Sequence, residues 1–167
     1  MELHINIDTS EEGDPQSPLS PTTVEKFARV FGEELERIAP HACQYEDVIV
    51  SVTFMGCAEM KGVNQEYRDI DEPTDVLSFP LWEEEGKLVL MPVVPGPLLL
   101  GDIVICPEEV KRIHSALPYS EALCLMLAHG FLHLLSWDHD TPEREEEMWN
   151  YQDLLKIRLL EALEGDL

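Results

Sequence analysis

Positive charge is what this chain has least of. Its 167 residues carry 11 Lys and Arg against 34 Asp and Glu, a formal net charge of −23 at pH 7. A field of that sign repels polyanions and favours solubility, which excludes a broad non-specific nucleic-acid surface but not a local basic groove. Long apolar runs are also missing, since none approaches the roughly 20 residues needed to cross a bilayer. The opening residues, MELHINIDTSEEGD, hold neither a basic n-region nor an apolar h-region, so no signal peptide is expected and the protein is read as cytoplasmic. Paired cysteines are absent as well. Cys43, Cys57, Cys106 and Cys124 are scattered with no CxxC, and free buried thiols are expected rather than a disulfide framework.

What the chain does have is enough apolar material for one core. With 44% hydrophobic residues and no linker or repeat, a single domain over residues 1–167 is expected. Leu3, Ile5 and Ile7 alternate with polar residues and predict a strand. From Thr22 or Thr23 to Pro40, Val24, Phe27, Phe31, Leu35 and Ile38 recur at helical spacing. The stretch DVIVSVTFM (Asp47 to Met55) predicts a central strand, Ala58 to Asp69 a helix, and Thr74 to Phe79 another strand.

Glu83 to Pro97 reads as a long connection or irregular hairpin, and Leu98 to Cys106 as a strand followed by a helix opening at Pro107. An apolar helix capped by Ser120 is expected to run through His129 and His133, and Thr141-Pro142-Glu143 to open a last helix reaching about Leu163. Strands and helices mix without strict alternation, which predicts an α+β fold with a small mixed sheet of about four strands. The runs Glu83-Glu84-Glu85 and Glu145-Glu146-Glu147 read as solvated faces.

Half of the six histidines fall in AHGFLHLLSWDHD, at positions 129, 133 and 139. Residues four apart share one face of a helix, so His129 and His133 can offer two imidazoles to one ion. The chain must then turn back to deliver His139. Three neutral imidazoles favour Zn2+ or another late transition metal such as nickel, and three protein ligands leave a fourth position open, as in catalytic rather than structural zinc sites. His4, His41 and His114 have no partner pattern and are assigned ordinary structural roles. Gly130 stands where a zinc peptidase of the HExxH type carries its glutamate base, which counts against peptidase chemistry despite the shared histidine spacing.

HGFLHLLSWDH (His129 to His139) resembles the HGxLHLxGYDH signature of the YbeY family of bacterial endoribonucleases. Two further blocks, NQEYRDIDEPTDVLSFP from Asn64 and LGDIVIC from Leu100, resemble that family's NxxYRxxDxPTDVLSFP and LGDIVI. The resemblance implies a metal-dependent, single-strand-specific endoribonuclease acting in 16S rRNA 3′-end maturation and ribosome quality control. It implies a zinc site on His129, His133 and His139, and a catalytic role for Arg68 in gripping phosphate. The implied partners are single-stranded RNA, small-subunit ribosomal RNA and ribosomal proteins. A rival reading is a non-catalytic ribosome-assembly factor with a structural metal. Taken without the resemblance, Arg68 reads as a salt-bridge partner of Asp69 or Asp71, and Lys61 as a solvated lysine. Asp138 either orients an imidazole or caps the next helix. The chain departs from the signature at Ser136, where the family has glycine, and at Trp137, where it has tyrosine. The glycine is expected to supply a left-handed turn residue, a conformation serine adopts only at a cost.

Overall fold

The computed structural model describes residues 1–10, 17–90, 95–137 and 140–163. Its elements are β1 (Glu2–Thr9), α1 (Pro21–Ile38), β2 (Asp47–Phe54), α2 (Cys57–Arg68), β3 (Val76–Pro80), β4 (Glu83–Glu84), β5 (Lys87–Leu88), β6 (Leu98–Ile105), α3 (Pro107–Ile113), α4 (Tyr119–Leu134) and α5 (Pro142–Leu163). The main sheet has the order β1-β2-β6-β3. Strands β1, β2 and β6 run parallel, and β3 lies antiparallel on β6. The fold is therefore α+β with a mixed four-stranded sheet.

The expected central strand is the second in this order, and its alternation is strict. Val48, Val50, Val52 and Phe54 are all fully buried on one face, while their neighbours are partly exposed. That face carries the larger core with α1, α4 and α5, including Phe31 stacked on Phe131 at 4.1 Å between ring centroids. The opposite face is covered at its β3–β6 end by α2. There Met60 and Val63 pack on Leu77, Val104 and Cys106.

Several boundaries differ from expectation for local reasons. Helix α1 begins at Pro21, with Ser20 accepting a hydrogen bond from the Thr23 amide at 3.1 Å, so the cap lies upstream of the two threonines. Ser120 does not cap α4. That helix starts at Tyr119 after Pro118, which leaves Ser120 inside its first turn. The connection after β3 contains a hairpin, β4–β5, whose turn residues Glu85 and Gly86 both have positive φ (50° and 74°). That pairing is what a tight two-residue hairpin requires. Trp82 pins the hairpin's base by donating its indole N–H to the Leu99 carbonyl at 2.6 Å. Helix α5 opens as read, with Thr141 Oγ1 accepting from the Arg144 amide at 3.2 Å. Among the described residues no helix is long and apolar enough to cross a membrane.

Two glycines set how closely α4 lies on the sheet. A Cβ at Gly130 would stand 2.8 Å from Ile103 Cγ2, and one at Gly101 would stand 2.7 Å from Leu134 Cδ2 and 2.5 Å from the Phe79 carbonyl oxygen. Close packing here brings the last two turns of α4 against β3, where Ser78 donates to the Gly130 carbonyl at 3.3 Å.

Candidate active-site cleft

Helix α4 is apolar almost all round and buries most of its residues. Its partly exposed stripe runs through Glu121, Leu125, His129 and His133, four residues apart. This spacing places the two imidazoles one turn above the other. Their Nε2 atoms face each other at 3.0 Å, with ring centroids 4.4 Å apart. The separation suits a hydrogen bond between them and is close to the roughly 3.4 Å expected for two nitrogens on one tetrahedral zinc.

The tautomer is set from α5. His129 Nδ1 lies 2.6 Å from Oε1 of Gln152, a residue only 9% exposed. An amide oxygen at that distance accepts the Nδ1 proton and leaves Nε2 with its lone pair directed away from Gln152, toward His133. Metal-binding histidines usually have such an acceptor behind them. The donor set thus fits a late transition metal. Nothing in the sequence spacing marked Gln152, which lies 23 residues downstream on another helix.

The histidines open into a cleft of about 160 Å³ lined also by Arg68, Ser78, Glu83, Ser136 and Trp137. Arg68 is the last residue of α2, and it is exposed. Among the described residues its guanidinium has no hydrogen-bond or ion-pair partner. The two carboxylates that could have claimed it are engaged elsewhere. Asp69 Oδ1 accepts from Gln65 at 3.1 Å, and Asp71 lies 3.8 Å from Lys61. Glu83, expected only in a solvated run, is also part of the cleft wall, carried there by the β4–β5 hairpin.

After Leu134 the chain closes α4 with a two-bond backbone lock: Ser136 N–H donates to the His133 carbonyl and Trp137 N–H to the Leu132 carbonyl, each at 3.0 Å. This geometry needs a left-handed residue at the turn, and Ser136 supplies it with φ 65°. Its Oγ is buried and has no hydrogen-bond partner among the described residues. The Trp137 ring leans on Tyr151 of α5 at 5.2 Å between centroids, and the Tyr151 hydroxyl donates to the buried carboxylate of Glu34. Both His139, the third expected ligand, and Asp138 lie outside the described residues.

Gly130 now has a physical explanation. Its Cα faces Ile103 and Ser78, so a glutamate side chain has no room there. The remaining histidines take ordinary ion-pair or surface positions. His114 Nε2 lies 2.8 Å from Asp75 Oδ2, and His41 is exposed. His4 Nε2 lies 2.9 Å from Asp47 Oδ1. With Glu2, these two form the group of three metal-capable side chains found within 4.8 Å of one another among the described residues. They sit on the edge of the sheet, away from the cleft. The cysteines are free, as expected, but only Cys106 and Cys124 are buried; Cys57 is partly covered and Cys43 is exposed.

Comparison with known proteins places the whole arrangement in context. The sequence profile of the family described as "Endoribonuclease YbeY" matches residues 16–159. The chain is 40% identical over 130 residues to the Endoribonuclease YbeY of Bacillus velezensis, covering 74% of this chain and 83% of that protein. It is likewise 40% identical over 132 residues to the protein of the same name from Geobacillus kaustophilus, covering 75% and 85%. A solution structure of a Thermotoga maritima protein superposes with a TM-score of 0.53 at 28% identity, covering 97% of this chain and 93% of that one.

Proposed function

The chain belongs to the YbeY endoribonuclease family, and from that membership we propose that it is a metal-dependent endoribonuclease cutting single-stranded RNA. Its place is the cytoplasm, as a single domain over residues 1–167 acting in 16S rRNA 3′-end maturation and ribosome quality control. Small-subunit ribosomal RNA is its substrate, and ribosomal proteins, rich in Lys and Arg, are its docking partners. The observation that carries the reading is the guanidinium of Arg68, unpaired among the described residues, in the same cleft as two facing imidazoles.

His129, His133 and His139 would hold zinc or a similar ion such as nickel. When bound, such an ion supplies Lewis acidity toward a phosphoryl oxygen. The protein's own residues do the rest. Arg68 grips the non-bridging oxygens of the scissile phosphate bidentately and offsets charge that develops there. Gln152 holds His129 in one tautomer. The packed wall of Phe131, Leu132 and Leu134 limits water behind the ligands. Peptide cleavage is disfavoured because the position of a peptidase's base is filled by Ile103.

Metal analysis of the purified protein, with cleavage of a single-stranded RNA by wild type, Arg68→Ala and His133→Ala, tests this. Wild type should cut and both variants should lose most activity while keeping the fold. Metal-replete wild type that cuts no single-stranded RNA would leave the assembly-factor reading standing instead. A 2′,3′-cyclic phosphate on the product would identify the RNA 2′-OH as nucleophile, and its absence from the first product would identify water.

A further inference from the structure

A chain with net charge −23 offers no broad cationic surface along which to track RNA phosphates, and among the described residues Arg68 is the one Lys or Arg that lines the cleft. The surface beside it is hostile to phosphate as well. Glu66, Asp69, Asp71 and Glu72 are all exposed around the end of α2. Beyond the one phosphate that Arg68 can grip, affinity is better drawn from an uncharged part of the strand. The residue next to Arg68 provides a place for one. Tyr67 is 63% exposed, and its ring meets Phe79 of β3 in an edge-type contact, with centroids 4.9 Å apart and planes at 63°. A ring with one aromatic neighbour and most of its surface exposed can receive a base, and every nucleobase has a π-face to lay on it.

We propose that Tyr67 is a nucleobase-stacking subsite, receiving the base adjacent to the phosphate held by Arg68. The inference rests on the reading of the cleft as a single-stranded-RNA site, and it supplies a reason for strand selectivity. A base inside a duplex is already stacked and paired, so its face reaches Tyr67 only after unstacking, whereas a single strand presents it freely. The surrounding carboxylates then act as a filter that discourages phosphate-only binding while leaving stacking intact.

The test uses the full chain and a non-cleavable 2′-O-methyl single-stranded oligonucleotide, with affinity read by anisotropy. Tyr67→Leu should weaken binding by roughly tenfold or more, and Tyr67→Trp should hold or strengthen it. An oligonucleotide lacking the base next to the cleft phosphate should bind wild type as weakly as the intact one binds Tyr67→Leu, with no further loss when the two changes are combined. Because Tyr67 is exposed, thermal midpoints should match. Wild-type affinity in Tyr67→Leu, or additive losses with the base-free oligonucleotide, would overturn the subsite alone. Failure of wild type to bind any single strand would overturn the RNA reading and the subsite with it. Loss of binding to a basic ribosomal protein, with RNA binding unchanged, would reassign Tyr67 to protein docking.

Discussion

Ser136→Gly is expected to make this protein more stable, and the size of the gain follows from the turn that ends α4. Serine at φ 65° sits in the left-handed region, which costs an L-residue roughly 1–2 kcal/mol. Its hydroxyl is buried without a partner among the described residues, a penalty of about 1–3 kcal/mol for an unsatisfied group. Glycine removes both terms but gains freedom in the unfolded chain, which returns about 0.4–1 kcal/mol. A net stabilisation of about 1–5 kcal/mol remains, or a rise in Tm of roughly 2–20 °C for a domain of this size. Ser136→Ala separates the terms, since it discards the hydroxyl and keeps the strained Cβ. Urea unfolding of the three proteins, analysed at a common m-value, should rank them glycine, alanine, serine. The two closing hydrogen bonds are made by backbone amides, so metal content should not change. A glycine variant no more stable than wild type would refute this account of the turn.

Gln152→Leu should lower metal affinity about 10–100-fold in chelator competition, while Gln152→Glu, which keeps the acceptor, should not. Gly130→Ala should destabilise by about 1 kcal/mol in urea unfolding, because overpacking against Ile103 of roughly 1–3 kcal/mol outweighs the gain of about 1 kcal/mol in helix propensity. Burial pushes the thiols of Cys57 and Cys124 from an ordinary 9.0 up to about 12, and for Cys57 a hydrogen bond to Glu108 adds to the effect. Between those values the folded chain holds more protons than the unfolded one. The thiol contribution is therefore complete below pH 9 and is lost as pH rises toward 12. Against the double variant Cys57→Ala/Cys124→Ala, wild type should show the steeper alkaline loss of stability.

Local signals in the sequence transferred well into structure. The β-branched run from Asp47 specified a buried strand because its alternation matches the pleat. Thr141 and Pro142 specified the start of α5 because cap and first-turn chemistry are local. Ser136 was legible as a left-handed residue because the YbeY signature it resembles carries glycine there. Ser120 misled, since a good capping residue lost to the geometry imposed by Pro118. The partners that matter most to the cleft were not legible. Gln152 meets His129 from another helix, Phe79 contacts Tyr67 from another strand, and Ile103 fills the space behind Gly130. Each depends on how elements pack, which no spacing within one segment encodes.

The scarcity of cations around Arg68 also governs how quickly the protein meets its substrate. Long-range repulsion between two polyanions slows their encounter, and added salt shortens its reach to about 8 Å at physiological ionic strength. Association with a free RNA strand should therefore accelerate as salt is raised over the low range, the reverse of a basic nuclease. A free transcript in dilute solution is thus a slow target. RNA displayed among cationic surfaces is a fast one, because there the repulsion is already neutralised before the cleft arrives. Electrostatics would then choose where cutting happens, leaving the cleft to choose which bond.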